Sequence, residues 1–96
     1  MGIKYEVCKT PWGRARGLMF SKKKNLLFVF DREQKISLHM WFVFFPIDVL
    51  FLNKNRKIIE IKKNFRPFVF YTSKKKAKYI VELTEKHNYK IGQIFK

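Results

Sequence analysis

This sequence is poor in cysteine, in acidic residues and in long unbroken apolar runs, and each shortage excludes something. Cys8 is the single cysteine among 96 residues, so no internal disulfide framework and no thiolate metal cluster is expected. The longest apolar stretch, Leu38 to Leu52, falls short of the roughly 20 residues that a membrane-spanning helix needs, and Pro46 and Asp48 interrupt it. The opening Met-Gly-Ile-Lys-Tyr-Glu contains no apolar segment, which predicts no signal peptide and a cytoplasmic location. There is no glycine-rich phosphate loop, no nucleophile-elbow pattern and no metal-ligand spacing. Neither a cofactor nor a metal is therefore expected. Acidic residues number 7 against 22 Lys and Arg, a formal net charge of +15. Self-repulsion of that size costs stability unless counterions or an anionic partner offset it.

What is abundant is apolar surface. Hydrophobic residues make up 47% of the chain and include eleven Phe, enough to drive folding around one compact core. Ninety-six residues suit one domain, residues 1–96, and are too few for two.

The apolar pattern is mostly that of strands. Ile3, Tyr5 and Val7 alternate with Lys4, Glu6 and Cys8, as in a half-buried strand. Thr10-Pro11 predicts a short helix, capped by a hydroxyl, opened by a proline and ended at Gly17. Leu26 to Phe30 is an apolar strand, and Asp31 to Gln34 a turn. Ile36, Leu38 and Met40 alternate into the run Trp41 to Phe45, and Pro46 marks a bend or an edge. Val49 to Leu52, the tight turn Asn53-Lys54-Asn55 and Lys57 to Lys62 make a hairpin, the clearest local signal in the chain. Phe65 to Tyr71 carries Pro67 and reads as a loop or edge strand. Lys76 to Leu83 suits a helix face as well as a strand, and the β-branched pair Ile80-Val81 favours the strand. One helical turn over Thr84 to Asn88 and a last strand over Ile91 to Phe95 complete the expectation. Seven or eight short strands with one short helix after the first predict a mostly β protein, a small barrel or sandwich.

The charge is unevenly placed. Residues 53–78 hold ten basic residues and a single acid, whereas residues 25–52 hold two basic residues and three acids. The ten are Lys54, Arg56, Lys57, Lys62, Lys63, Arg66, Lys74, Lys75, Lys76 and Lys78, with Phe65, Phe68, Phe70 and Tyr71 interleaved. Cations beside aromatic rings are what a single-stranded nucleic acid site uses, the first for phosphates and the second for base stacking. The same rings also suit the core of that segment. Lysine is a point charge that reads no base, so RNA, DNA or another polyanion is the expected partner class, bound with little specificity. A well-solvated lysine-rich surface without a partner is the alternative, and an acidic protein is another.

Several segments together resemble the family of uncharacterised proteins known as domain of unknown function 192, or uncharacterised protein family 0127. They are Thr10-Pro11 with Arg14 to Phe20, Leu27 to Phe30, Met40, Pro46 to Leu52, and Tyr79 to Leu83 leading to Ile91-Gly92. Two departures stand out: His39-Met40-Trp41-Phe42 where many bacterial members have Trp-Met-Lys-Asn, and Gly92-Gln93 where they have Gly-Asp. The resemblance implies a compact β domain with a short helix after the first strand, and no established activity.

Arg16, Asp48 and Glu82 are the charged members of these motifs, each flanked by apolar residues. Arg16 can grip a carboxylate through two bonds, so the three form either a structural ion pair or the wall of a small-ligand pocket. Two carboxylates can also serve as acid and base, but nothing in the sequence sets their separation. His39 is expected on a strand and His87 in a turn, and Cys8 as a small packed residue.

Overall fold

The computed structural model describes residues 5–8, 25–39, 46–66 and 70–96. The helix expected over residues 10–17, Arg16 within it, and the apolar run 41–45 lie outside the described residues. Seven strands run in chain order: β1 Glu6–Cys8, β2 Leu26–Gln34, β3 Ser37–His39, β4 Ile47–Leu52, β5 Ile58–Phe65, β6 Phe70–Thr72 and β7 Ala77–Leu83. Five form one sheet in the order β1-β2-β7-β4-β5, and β3 and β6 form a separate two-stranded ribbon. Among the described residues the large sheet stays open, so of the two expected architectures the sandwich-like one holds. The first pair, β1 with β2, is parallel, and the other pairs of this sheet are antiparallel.

Both faces of the large sheet are buried, and they carry different cores. One face gathers Leu26, Phe28, Val49, Phe51 and Ile80. The ribbon reaches it through Tyr71, whose ring lies 5.8 Å from Phe51 and 6.3 Å from Phe65 between centroids. The other face gathers Leu27, Leu50, Leu52, Ile58, Val81 and Leu83. The segment after β7 covers this second face, with Phe95 fully buried beneath it. Burial on both sides explains why β4 reads as an unbroken apolar run with one charge.

Three local expectations change. Asp31–Gln34 continues β2 instead of turning, because its residues lie on the exposed far half of a long strand, where polar side chains suit a sheet. Residues 84–88 form no helical turn. Their first amides and side chains are taken up elsewhere, with the Thr84 N–H and hydroxyl both donating to Asn25 Oδ1. The last strand shrinks to a bridge between Lys57 and Ile94. Gly92 adopts φ of 99°, a conformation that favours glycine, and its N–H donates to Ile58 O at 2.8 Å.

The β4–β5 hairpin stands as expected. Asn53 Oδ1 accepts from the N–H groups of Asn55 and Lys57 at 2.9 and 3.0 Å, so one side chain closes the turn.

Candidate functional site

Register decides what the charged motif residues can do together. Asp48 pairs with Leu83 and Val49 with Glu82 across β4 and β7. Directly opposed residues share a face and consecutive ones alternate, so Asp48 and Glu82 point to opposite sides of the sheet. The structure therefore does not bring the two carboxylates together as an acid–base couple.

Asp48 faces the second core. Its Oδ1 accepts the Asn64 N–H at 2.8 Å, and its Oδ2 lies 2.7 Å from His87 Nε2. Asn64 holds φ of 52°, a left-handed value that asparagine tolerates. His87 Nδ1 accepts the Tyr89 N–H at 3.2 Å, so Nε2 carries the proton towards Asp48. With both ring nitrogens engaged and its side chain only 4% exposed, His87 is built in as a brace for the segment that covers this face. Asp48 also borders an open cavity of 210 Å³ shared with Asn64 and Thr84, and Glu82 is not in its wall.

Glu82 sits on the central strand between Leu26 and Val49. No described residue donates a hydrogen bond to its carboxyl, and burial pushes that carboxyl up to about 7. Among the described residues no cluster of three or more His, Cys, Asp or Glu is placed to hold a metal.

The basic region is organised around Glu60, which sequence reasoning passed over. Its carboxylate accepts from the Tyr71 hydroxyl and from the N–H groups of Lys74 and Lys75. Desolvation pushes this carboxyl up, but the three donors and the Lys74 charge together outweigh it, and the net direction is down. The same bond holds the Tyr71 hydroxyl up to about 12. Ser73 completes the anchor, exchanging backbone and side-chain bonds with Ile36 and donating to Lys75 O. The loop carrying Lys74, Lys75 and Lys76 is thereby fixed beside β5, which carries Lys62 and Lys63. The available signal was a lone acid among ten cations, on a strand.

Arg56, Lys62 and Lys78 are half-buried and lie over aromatic rings, and among the described residues Arg56 is the one of the three with a side-chain hydrogen bond. Its guanidinium donates to the Tyr5 hydroxyl at 3.2 Å and packs over the Tyr79 and Phe95 rings at 5.4 and 5.9 Å. It is half-buried, and its Nε has no partner. Lys54, Lys57, Lys63, Arg66, Lys74, Lys75 and Lys76 are exposed. Among the described residues no lysine or arginine forms a close ion pair, and four carboxylates are engaged by other donors. Glu33 accepts the Lys54 N–H, Glu85 the Asn25 amide, and Asp48 and Glu60 the groups given above.

Fold and site thus define a small sandwich-like β domain with two core clusters and a set of exposed cations that form no close ion pair among the described residues. Among the described residues no helix is long and apolar enough to cross a membrane. The family model DUF192, described as Uncharacterized ACR, matches residues 1–93, and the chain belongs to this family. It is 38% identical over 81 residues to a UPF0127 protein of Thermococcus sibiricus, covering 80% of this chain and 52% of that protein. A UPF0127 protein of Pyrococcus furiosus is 43% identical over 72 residues, covering 72% and 61%. The chain thus spans between half and two thirds of these relatives. Two crystal structures share the fold. One is a candidate transcription regulator from Sinorhizobium meliloti 1021, with TM-score 0.79 and 25% identity over 84% of this chain and 67% of that one. The other, a protein of unknown function from Novosphingobium aromaticivorans, has TM-score 0.77 and 20% identity over 84% and 62%.

Proposed function

We propose that this is a non-catalytic binding domain that holds RNA, DNA or another polyanion in the cytoplasm through the cations of Asn53–Lys78. One observation carries the proposal: seven of those ten cations are exposed, and none of the ten forms a close ion pair among the described residues. Unpaired surface cations release counterions when phosphates replace them, which supplies affinity without sequence reading. The description of the Sinorhizobium neighbour as a candidate transcription regulator agrees with a nucleic acid partner.

Equilibrium binding of a 20-nucleotide RNA at salt concentrations from 50 to 200 mM tests this. Affinity should fall steeply with salt, and Lys74→Ala, Lys75→Ala and Lys76→Ala combined should flatten the log–log slope by roughly 2 to 3. No binding at the lowest salt ends the proposal. Pull-down with and without nuclease separates nucleic acid from an acidic protein as the partner.

A further inference from the structure

The segment after β7 contains a turn that shows apolar side chains to solvent. Ile91 and Ile94 are 65% and 52% exposed, the most exposed large hydrophobic residues among the described ones. Residues 90–93 close on themselves, with the Gln93 N–H donating to Lys90 O at 3.2 Å. Gly92, with its φ of 99°, takes the third position of the turn, where a positive φ is required, and Ile91 stands at the corner. The turn is fixed from behind. The Gly92 N–H donates to Ile58 O, the Ile58 N–H to Gln93 O, and the Phe95 N–H to Arg56 O. Phe95, beside Ile94, is fully buried, and the Tyr5 and Tyr89 rings lie 5.5 and 5.2 Å from its own. The Lys90 N–H is also used, donating to Gln93 Oε1 at 2.9 Å. Backbone groups that are already bonded within the protein leave water at little cost.

Cations stand with the isoleucines. Ile94 pairs with Lys57 in the antiparallel bridge, which sets the two side chains side by side, and Lys90 opens the turn. Both lysines are exposed. Residues 86–96 include no acidic residue.

We infer that this turn docks on the surface of an anionic lipid bilayer, with Ile91 and Ile94 entering between the headgroups and Lys57 and Lys90 meeting lipid phosphates. Single apolar residues scattered over a surface carry no such meaning; here two share one rigid turn and two cations flank them. A four-residue turn is too small for a stable protein interface, which takes roughly 800 Å² from each partner. A second copy of the chain is disfavoured by the charge of +15 on each. A bilayer needs no matching pocket. A few apolar side chains and cations add to the attraction that a positive protein already feels towards an anionic leaflet. Because the turn is already ordered, docking costs little conformational freedom. Apart from Lys57, the turn shares no residue with the polyanion surface proposed above.

Flotation with two kinds of vesicle tests this, one of phosphatidylcholine alone and one with about a third phosphatidylglycerol. The protein should float with the anionic vesicles and stay behind with the neutral ones. Ile91→Ser combined with Ile94→Ser should weaken the anionic binding about tenfold, with the melting temperature and the RNA affinity unchanged. Lys90→Gln should weaken it about fivefold. If the isoleucine variant binds anionic vesicles as tightly as the unaltered chain, the lysines act alone and the inference is overturned. Absence of binding to both vesicles overturns it in favour of a protein partner, and leaves the separate RNA measurement to judge the polyanion reading.

Discussion

Glu60 and Glu82 stand on the same face of the large sheet, one on its edge strand β5 and one on its central strand β7. Their residue partners on β4, Phe51 and Val49, belong to one core cluster. Exposure is almost equal, at 8% and 9%, yet the two carboxyls shift in opposite directions. Burial alone therefore does not set the state of an acid in this protein. At the edge, backbone N–H groups of a neighbouring loop can reach in and hold the charged form. At the centre, strands on both sides have committed their N–H groups to the ladder, and among the described residues nothing offsets desolvation.

The sharpest way to break this comparison is to remove the edge acid. Glu60→Leu leaves the Lys74 and Lys75 N–H groups and the Tyr71 hydroxyl without their acceptor, and should cost about 4 kcal/mol in chemical denaturation. The same substitution at Glu82 removes a buried carboxyl that has no side-chain partner among the described residues, and should be neutral or stabilising at pH 8. Equal losses at both sites would refute the distinction.

The next effect is one of pH. Glu82 holds its proton up to about 7, against an ordinary value of 4.5. The native state thus binds the extra proton between those values, and stability falls as pH rises through them. At ~1.4 kcal/mol per pH unit the loss is about 3 kcal/mol. Glu82→Gln should remove this slope, as read from denaturation at pH 4.5 and pH 8. Glu60, whose carboxyl is lowered, contributes with the other sign: its stabilisation is present above 4.5 and is lost as pH falls through its folded value. A Glu82→Gln protein that keeps the alkaline loss would show that another group produces it.

The smallest effect sharpens the edge side. Tyr71, held up to about 12, should give a late step in an ultraviolet titration. Tyr71→Phe should remove that late step and cost about 1 kcal/mol. If Tyr71→Phe leaves the titration unchanged, the bond to Glu60 is not there in solution.

The β4–β5 hairpin was legible because its turn residues and flanking runs are neighbours in sequence, and β7 because Ile80-Val81 settles an ambiguous period. The family was legible from short motifs in order. The placement of Asp48 and Glu82 was not, since one residue of register decides which face a side chain takes, and register belongs to the pair of strands. Glu60 escaped for a related reason. Its donors come from the chain 14 and 15 residues later, and nothing in its own strand announces them. Arg56, counted with the free cations, is held by Tyr5, Tyr79 and Phe95 from three separate parts of the chain. Of the interleaved aromatics, Phe65 is fully buried and Tyr71 carries Lys62 over its ring, contacts that the spacing alone did not show.

The strand order has a consequence for how the protein is made. β7 is central in the large sheet, between β2 and β4, yet it follows every other strand in the chain. During synthesis, which proceeds at about 5–20 residues per second, β2 and β4 emerge with the edges that β7 will fill still bare. The nascent chain must wait for its final strand before the sheet can knit, with apolar edges exposed to other chains meanwhile. A polypeptide of charge +15 repels its own copies throughout that interval, so the excess of lysine works against aggregation of the unfinished sheet.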